Sequence, residues 1–198
     1  MFSSVLLYFA SSNPGKLRDF SGMDLPLQLL PDFPALPEAI ENGGSFAANA
    51  RIKASHYSRL SSHSGWIVAD DSGLEVDALG GAPGVNSALF CGRHGDDEAN
   101  NRLLLERLRG VPTERRTGRF ICVLVLACGG EVKAEFQGAA EGLILESPRG
   151  AHGFGYDPLF YSPAAGRGFA ELTPEEKARF SHRGQAARAL QAWLKQQK

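Results

Sequence analysis

Along the 198-residue chain, short apolar runs of strand character alternate with stretches whose apolar residues recur at helical spacing. That alternation predicts an α/β fold and argues against a helical bundle or an all-β sandwich. Val5–Ala10 reads as the first strand, followed by a helix from Pro14 or Gly15 to about Phe20 and a short strand near Leu27–Leu30. A proline-rich loop (Pro31, Pro34, Pro37) leads to Ser45, which caps a helix with Phe46, Ala50, Ala54 and Tyr57 on one face. Trp66–Asp71 reads as a buried strand and Leu74–Leu79 as another, running into the turn-rich segment Gly80–Gly84.

Asp96–Arg109 predicts an amphipathic helix with Leu103, Leu104 and Leu108 inward. Two long strands follow, Thr117–Ala127 and Val132–Gly142, and Gly129-Gly130 between them is a hairpin signal. Thr173-Pro-Glu-Glu176 is a capping box with proline at the first helical position. A final helix runs from Ser181 to about Gln196, with Leu190, Trp193 and Leu194 on one face. No repeat or linker tract interrupts residues 1–198, so a single domain is expected. The long hairpin is the candidate for a second lobe, across a cleft from the α/β part.

Charge and cysteine content narrow the functional classes. Lys and Arg number 21 against 22 Asp and Glu, which leaves no global field to attract nucleic acid or an anionic membrane. Phosphate recognition must then be local. Cys91, Cys122 and Cys128 are odd in number and lack CxxC spacing, so free thiols in a reducing compartment are expected. Val5–Ala10 has no basic flank and is too short to cross a bilayer, and a cytoplasmic location is expected.

Asp70 and Asp71 stand side by side at the end of an apolar run and are followed by Ser72-Gly73. On a pleated strand adjacent residues face opposite ways, so at most one of the two carboxylates easily enters a given cleft. One reads as a Mg²⁺ ligand and the other as its support, since Mg²⁺ takes one or two carboxylates and fills its shell with water and phosphate oxygens. Asp-Ser-Gly is equally ordinary turn chemistry, and by itself the pair supports both readings.

Ser11-Ser-Asn-Pro-Gly-Lys16 leaves the first strand where open sheets bind ligands, at a carboxyl end leading into a helix. Hydroxyls, an amide, backbone N–H groups and Lys16 together could hold a polyphosphate there. It is neither a Walker A loop nor GxGxxG. In Gly153–Asp157, Phe154 and Tyr156 sit among glycines rather than at core spacing, which suits stacking on a base whose edge Asp157 could hydrogen-bond, or plugging the loop onto the sheet. Lys177, His182 and Arg183 bring cations to a helix junction, and the last two oppose the dipole of the helix they begin, so they need another partner.

Taken together and in order, these segments resemble the noncanonical purine nucleoside triphosphate pyrophosphatases, the inosine/xanthosine triphosphate pyrophosphatase family. The resemblance rests on Ser11-x-Asn13-x-x-Lys16, Glu41-x-Gly43-x-Ser45-Phe46, Asn49-Ala-x-x-Lys53-Ala54, Asp70-Asp-Ser-Gly-Leu74, Gly80-Gly-Ala-Pro-Gly84, Phe154-Gly-Tyr-Asp157 and Ser181-His-Arg183. It implies that Ser11, Ser12, Asn13, Pro14, Gly15 and Lys16 hold the triphosphate, and that Asp71 is the catalytic carboxylate, binding Mg²⁺ or acting as the base. Ser72 would touch the substrate. Glu41 would be a further metal ligand, and Phe154, Gly155, Tyr156, Asp157, Lys177, His182 and Arg183 would surround the base; Asp70, from the reading of the pair itself, is the remaining candidate ligand.

The implied fold is an elongated two-lobed α/β structure around a central mixed sheet with a long hairpin, its active site in the cleft between the lobes, usually a homodimer. The implied reaction is hydrolysis of ITP, dITP or XTP to the monophosphate and pyrophosphate. A pyrophosphatase for modified pyrimidine triphosphates, or a non-catalytic nucleotide sensor, would share the phosphate segments and differ at residues 154–157 and 177–183, or release no pyrophosphate. The chain departs from the family pattern at Ala48, where relatives often carry glutamate, and at Asn86 and Leu89, where many carry an aromatic and an arginine.

Overall fold

A computed structural model describes residues 6–21, 23, 25–63 and 65–197. Its strands are β1 (Leu7–Phe9), β2 (Leu27–Leu29), β3 (Trp66–Val76), β4 (Thr117–Cys128), β5 (Glu131–Ile144), β6 (Phe160–Ser162) and β7 (Arg167–Gly168), and its α-helices are α1 (Pro14–Ser21), α2 (Phe46–Leu60), α3 (Asp97–Arg107), α4 (Pro174–Phe180) and α5 (His182–Gln196). The strands form one open mixed sheet in the order β2-β1-β3-β4-β5-β6-β7. β1 runs parallel to β2 and β3, and every later pairing is antiparallel. Val5, assigned from the sequence to the first strand, lies outside the described residues.

Local signals set the helix ends. Ser45 accepts the Ala48 N–H to cap α2, and Thr173 and Glu176 close a reciprocal capping box on α4. Ser181 accepts the Gly184 N–H and starts α5 directly after α4. Alternation along β3 and β4 then sorts the core onto two faces. Val68, Leu124 and Leu126 pack against Ala186, Ala187 and Leu190 of α5, while Ile67, Ala69, Val123 and Val125 pack against Ala50 and Ala54 of α2. A third cluster gathers Leu74, Leu104, Leu108, Ile144, Phe160 and Phe169 around the far half of the hairpin. Each fully buried leucine or phenylalanine in these clusters contributes about 1.5–3 kcal/mol of transfer free energy.

The structure differs from the sequence reading along β3 and α3. Ser72-Gly73 is not a turn: Asp70 to Val76 continue one strand in unbroken register with β4, Ser72 opposite Cys122 and Gly73 opposite Ile121, and Asp77–Leu79 is a 3-10 turn. Gly73 is glycine because a Cβ there would lie 2.3 Å from Ser87 Oγ and 2.7 Å from the Gly84 carbonyl. The hairpin β4–β5 contributes residues to all three clusters. Leu103, expected inward, is half-buried, and Leu105 on the same helix packs against the third cluster.

Candidate active site

A groove opens where β1 ends. β1 pairs with β3 only through Leu7–Phe9 against Trp66–Val68, and the chain then leaves the sheet through Ser11–Asn13 into α1. Beyond Val68 one edge of β3 is therefore uncovered by β1. Around it lies a cavity of about 1150 Å³ lined by Ser11, Ser12, Asn13, Lys16, Glu41, Lys53, Asp70, Asp71, Ser72, Phe154, Gly155, Tyr156, Asp157, His182 and Arg183. Because the groove wraps round that open edge, both aspartates line it, although they face opposite sides of the pleat. The expectation that only one would enter a single cleft is corrected by this geometry.

Each aspartate has its own set of cations. Lys16 Nζ lies 2.9 Å from Asp70 Oδ1, the Ser72 hydroxyl donates to Asp70 Oδ2 at 3.0 Å, and Arg183 Nε lies 3.7 Å from that oxygen. Burial would raise the Asp70 carboxyl, but the charges of Lys16, Arg183 and Lys53 outweigh it and hold its pKa at about 2. On the other face Lys53 Nζ donates to Asp71 Oδ1 at 2.9 Å and lies 2.7 Å from Glu41 Oε2. Here burial dominates: it pushes the Asp71 carboxyl above its ordinary range despite Lys53 and Lys16, and Glu41 adds to the rise. Asp71 Oδ2 is buried without a hydrogen-bond partner. Two neighbouring carboxyls whose environments drive them apart in this way are an arrangement suited to acid–base work.

The phosphate-type turn is more self-contained than the sequence suggests. Ser11 Oγ accepts the Asn13 N–H at 3.2 Å, and Asn13 Oδ1 accepts those of Gly15 at 2.8 Å and Lys16 at 3.3 Å. Those backbone donors, expected to face a ligand, are already taken by an asparagine side chain acting as a turn cap. Pro14 and Gly15 do not line the groove. Gly15 instead makes room for Phe154, whose ring would be 2.6 Å from a Cβ at that position.

At the other end of the groove, Phe154 lies beneath two cations, its ring centroid 5.3 Å from Lys177 Nζ and 5.2 Å from the Arg183 guanidinium carbon. Tyr156 is part of the third core cluster and donates its hydroxyl to the Ser87 carbonyl at 2.8 Å. Asp157 turns inward: its Oδ2 accepts the Phe154 N–H at 2.9 Å and Lys177 Nζ at 2.6 Å. Burial and the nearby Asp19 raise its carboxyl further than Lys177 lowers it. Lys177 is only 3 % exposed and sits behind the groove wall rather than in it. His182 stacks on Phe120 with centroids 4.7 Å apart; burial, with Arg183, Lys177 and Lys16 close by, holds its pKa well below the usual value, so the imidazole is neutral at pH 7. Asn86 and Leu89, two of the departures from the family pattern, also line the groove.

Two site residues were given no role from the sequence. Asp19 binds Lys177 at 3.2 and 3.3 Å and Arg183 Nη1 at 3.0 Å, joining the cations behind Phe154 to α1. The available signal was its place in the last turn of α1, where a carboxylate opposes the helix dipole and needs a partner. Lys53 stands one turn after Asn49 and next to the small residues Ala50 and Ala54, a polar intrusion beside an apolar helix face that marks a buried contact. Among the described residues, no three His, Cys, Asp or Glu side chains converge as an all-protein metal cage.

The sequence profile of the Ham1 family matches residues 7–193. A dITP/XTP pyrophosphatase of Exiguobacterium is 49% identical over 190 residues, covering 94% of this chain and 95% of the relative. One of Thermus thermophilus is 48% identical over 194 residues, covering 96% and 92%. The solved structure of a HAM1 protein from Coxiella burnetii superposes with a TM-score of 0.84 at 35% identity, covering 97% of this chain and 99% of that one. With its fold, its motif order and nearly its whole length matched, the chain belongs to the Ham1 family.

Proposed function

We propose that this chain is a single-domain, Mg²⁺-dependent pyrophosphatase that hydrolyses the noncanonical purine nucleoside triphosphates ITP, dITP and XTP to monophosphate and pyrophosphate. The observation that carries the reading is the separation of the paired aspartates: Asp70 neutralised by Lys16 and Arg183, Asp71 raised and left with a buried, unpartnered oxygen at the groove. A raised carboxylate with a free lone pair can orient or deprotonate a water; an ion-paired one at about 2 is a weak base. The relatives' name, dITP/XTP pyrophosphatase, supports the same substrate class.

The donor set fits a Mg²⁺ ion. Asp71 Oδ2 is a hard oxygen without a protein partner, and Mg²⁺ characteristically takes one or two carboxylates rather than a closed protein cage. Asp71 would be the principal ligand, with Glu41, held by the same Lys53, on its side of the strand; Asp70, whose oxygens are taken by Lys16 and Ser72, would add negative charge across the pleat. When bound, the ion offsets charge developing on the phosphate oxygens. Lys16 adds positive charge at the same end, and the side chains of Ser11, Ser12 and Asn13 complete the triphosphate contacts, since the N–H groups of Asn13, Gly15 and Lys16 are occupied.

Ser72 and Arg183, joined at 2.6 Å, border the sugar and base side of the groove. Phe154 supplies a face for stacking, and neutral His182 supplies a nitrogen able to donate or accept. Lys177 acts from behind the groove wall, and Asp157, in the wall, joins it to the Phe154 backbone. The active form in this reading is a cytoplasmic homodimer that clears damaged nucleotides. The test is product analysis: with Mg²⁺ and ITP the protein should release IMP and pyrophosphate. Orthophosphate as the product, or tight ITP binding with no turnover, would overturn the reading.

A further inference from the structure

The segment Gly153–Asp157 is gripped by α3, whose Asp97 also borders the groove. The Gly155 N–H donates to Asp97 Oδ2 at 2.7 Å, and Asn101 Nδ2 donates to the Gly155 carbonyl at 2.8 Å. Residues 97 and 101 are one helical turn apart and share a face, so two side chains take both polar groups of a single residue's backbone. Asp97 is not needed as the cap of α3. That task belongs to Asp96, which accepts the Ala99 N–H at 2.9 Å and pairs with Arg93. Two adjacent acids on α3 thus do separate jobs, one closing the helix and one reaching across to another loop. A backbone N–H to an ionised carboxylate is roughly twice as strong as a neutral pair.

The neighbouring Asn100 holds the other side of the groove. It accepts the Cys91 N–H at 2.8 Å and donates to the Ala88 carbonyl at 3.4 Å. One turn of α3 therefore anchors both the turn that carries Asn86 and Leu89 and the loop that carries Phe154. Phe154 adjoins Gly155, and its ring is wedged among Gly15, Lys177 and Arg183. A shift of Gly155 would carry the ring with it.

We propose that Asp97 and Asn101 are positioning residues for base recognition: by fixing Gly155 they hold the Phe154 ring where the nucleobase is received, and so act on substrate affinity rather than on the hydrolytic step. This rests on the purine triphosphate reading above. The experiment compares wild type with Asp97→Ala, Asp97→Asn and Asn101→Ala, measuring amide hydrogen exchange over residues 153–157 without nucleotide, and KM and kcat for ITP. Asp97→Ala should speed exchange at Gly155 by at least ~10-fold and raise KM by roughly 10-fold, with kcat within about 3-fold of wild type.

Asp97→Asn, which keeps an acceptor, should recover much of the loss. Asn101→Ala removes one bond and no charge; it should show the same pattern more weakly, and it serves in place of Asp97→Ala if that variant does not fold. Unchanged exchange over 153–157, or a fall in kcat with KM untouched, would overturn the proposal. Should wild type not turn over ITP at all, the exchange measurement still decides the clamp, and only the nucleotide reading falls.

Discussion

Lys53 holds one oxygen of Asp71, at 2.9 Å, and leaves the other buried with no partner. A carboxylate tied at one end and open at the other is oriented but not satisfied. Lys53 itself stays charged: burial lowers its pKa, yet Asp71, Asp70 and Glu41 together raise it above the ordinary lysine value. The pair presents to the groove a fixed, negatively charged oxygen whose affinity for a proton or a hard cation is enhanced by desolvation.

Asp71→Asn should therefore keep the fold and lose turnover by at least ~10²-fold, the scale of general-base loss. The acid limb of the wild-type kcat/KM profile should fall above the ordinary aspartate value of 3.8, because burial raises this carboxyl, and the residual activity of the variant should lack that limb. Near wild-type turnover in Asp71→Asn would remove the residue from its role.

The same substitution should stabilise the protein. A raised folded-state pKa means the folded form disfavours the charge, so Asp71 costs stability once the pH exceeds its ordinary value of 3.8 and the cost is complete above its folded pKa. Asp71→Asn should melt higher than wild type at pH 7, by about 2–4 °C for each kcal/mol relieved in a chain of this size, and the two should converge below about pH 3.8. A lower Tm for the variant at pH 7 would show that the carboxylate is well compensated in the free enzyme.

Lys16 acts on the phosphate end and on Asp70 at once. Lys16→Ala should lower kcat/KM for every triphosphate by a similar factor, about 10- to 150-fold for one charged hydrogen bond. Asp70 has the opposite sign to Asp71: held at about 2, it contributes stability above the ordinary 3.8 that is lost as pH falls toward 2. Since Lys16 is the strongest charge lowering it, Lys16→Ala should move acid unfolding to higher pH. A loss confined to one nucleobase would contradict the phosphate assignment.

Asp19 is 8 % exposed and joins Lys177 and Arg183 across α1, α4 and α5. Asp19→Ala takes one carboxylate from two buried cations, leaving Lys177 with Asp157 and Arg183 with Asp70, and should cost up to about 3–5 kcal/mol in urea unfolding. Arg51→Ala, which breaks an exposed pair with Glu135, should cost under about 1 kcal/mol. Equal losses in the two variants would mean that the buried network adds nothing beyond surface pairing.

What could be read from the sequence follows the range of each signal. Ser45, Thr173-Pro-Glu-Glu176 and Gly129-Gly130 act within a few residues, and the structure has the caps and the hairpin turn where those residues put them. Ser72-Gly73 misled because a glycine demanded by close packing against Ser87 and Gly84 looks in sequence like a glycine demanded by a turn. Asp19, Lys53, Asp97 and Asn101 were not legible as site residues because their partners lie far along the chain: Asp19 is joined to Arg183, and Asp97 to Gly155. Only the fold brings such pairs together: helix position marks Asp19 and Lys53 as needing a partner but does not say which residue it is.

The measurement that bears most directly on the account is the ratio of kcat/KM for ITP over ATP and over GTP, followed by pyrophosphate release with Mg²⁺. Inosine offers a 6-oxo acceptor where adenine has an amino donor, and it lacks the 2-amino group of guanine. Each mismatched buried polar contact costs about 1–3 kcal/mol, or roughly 5- to 150-fold. Arg183, His182 and Phe154 together line enough of the groove to impose more than one such mismatch. The account predicts that both ratios exceed about 10-fold and that they shrink in His182→Ala. Ratios near unity in wild type would contradict it.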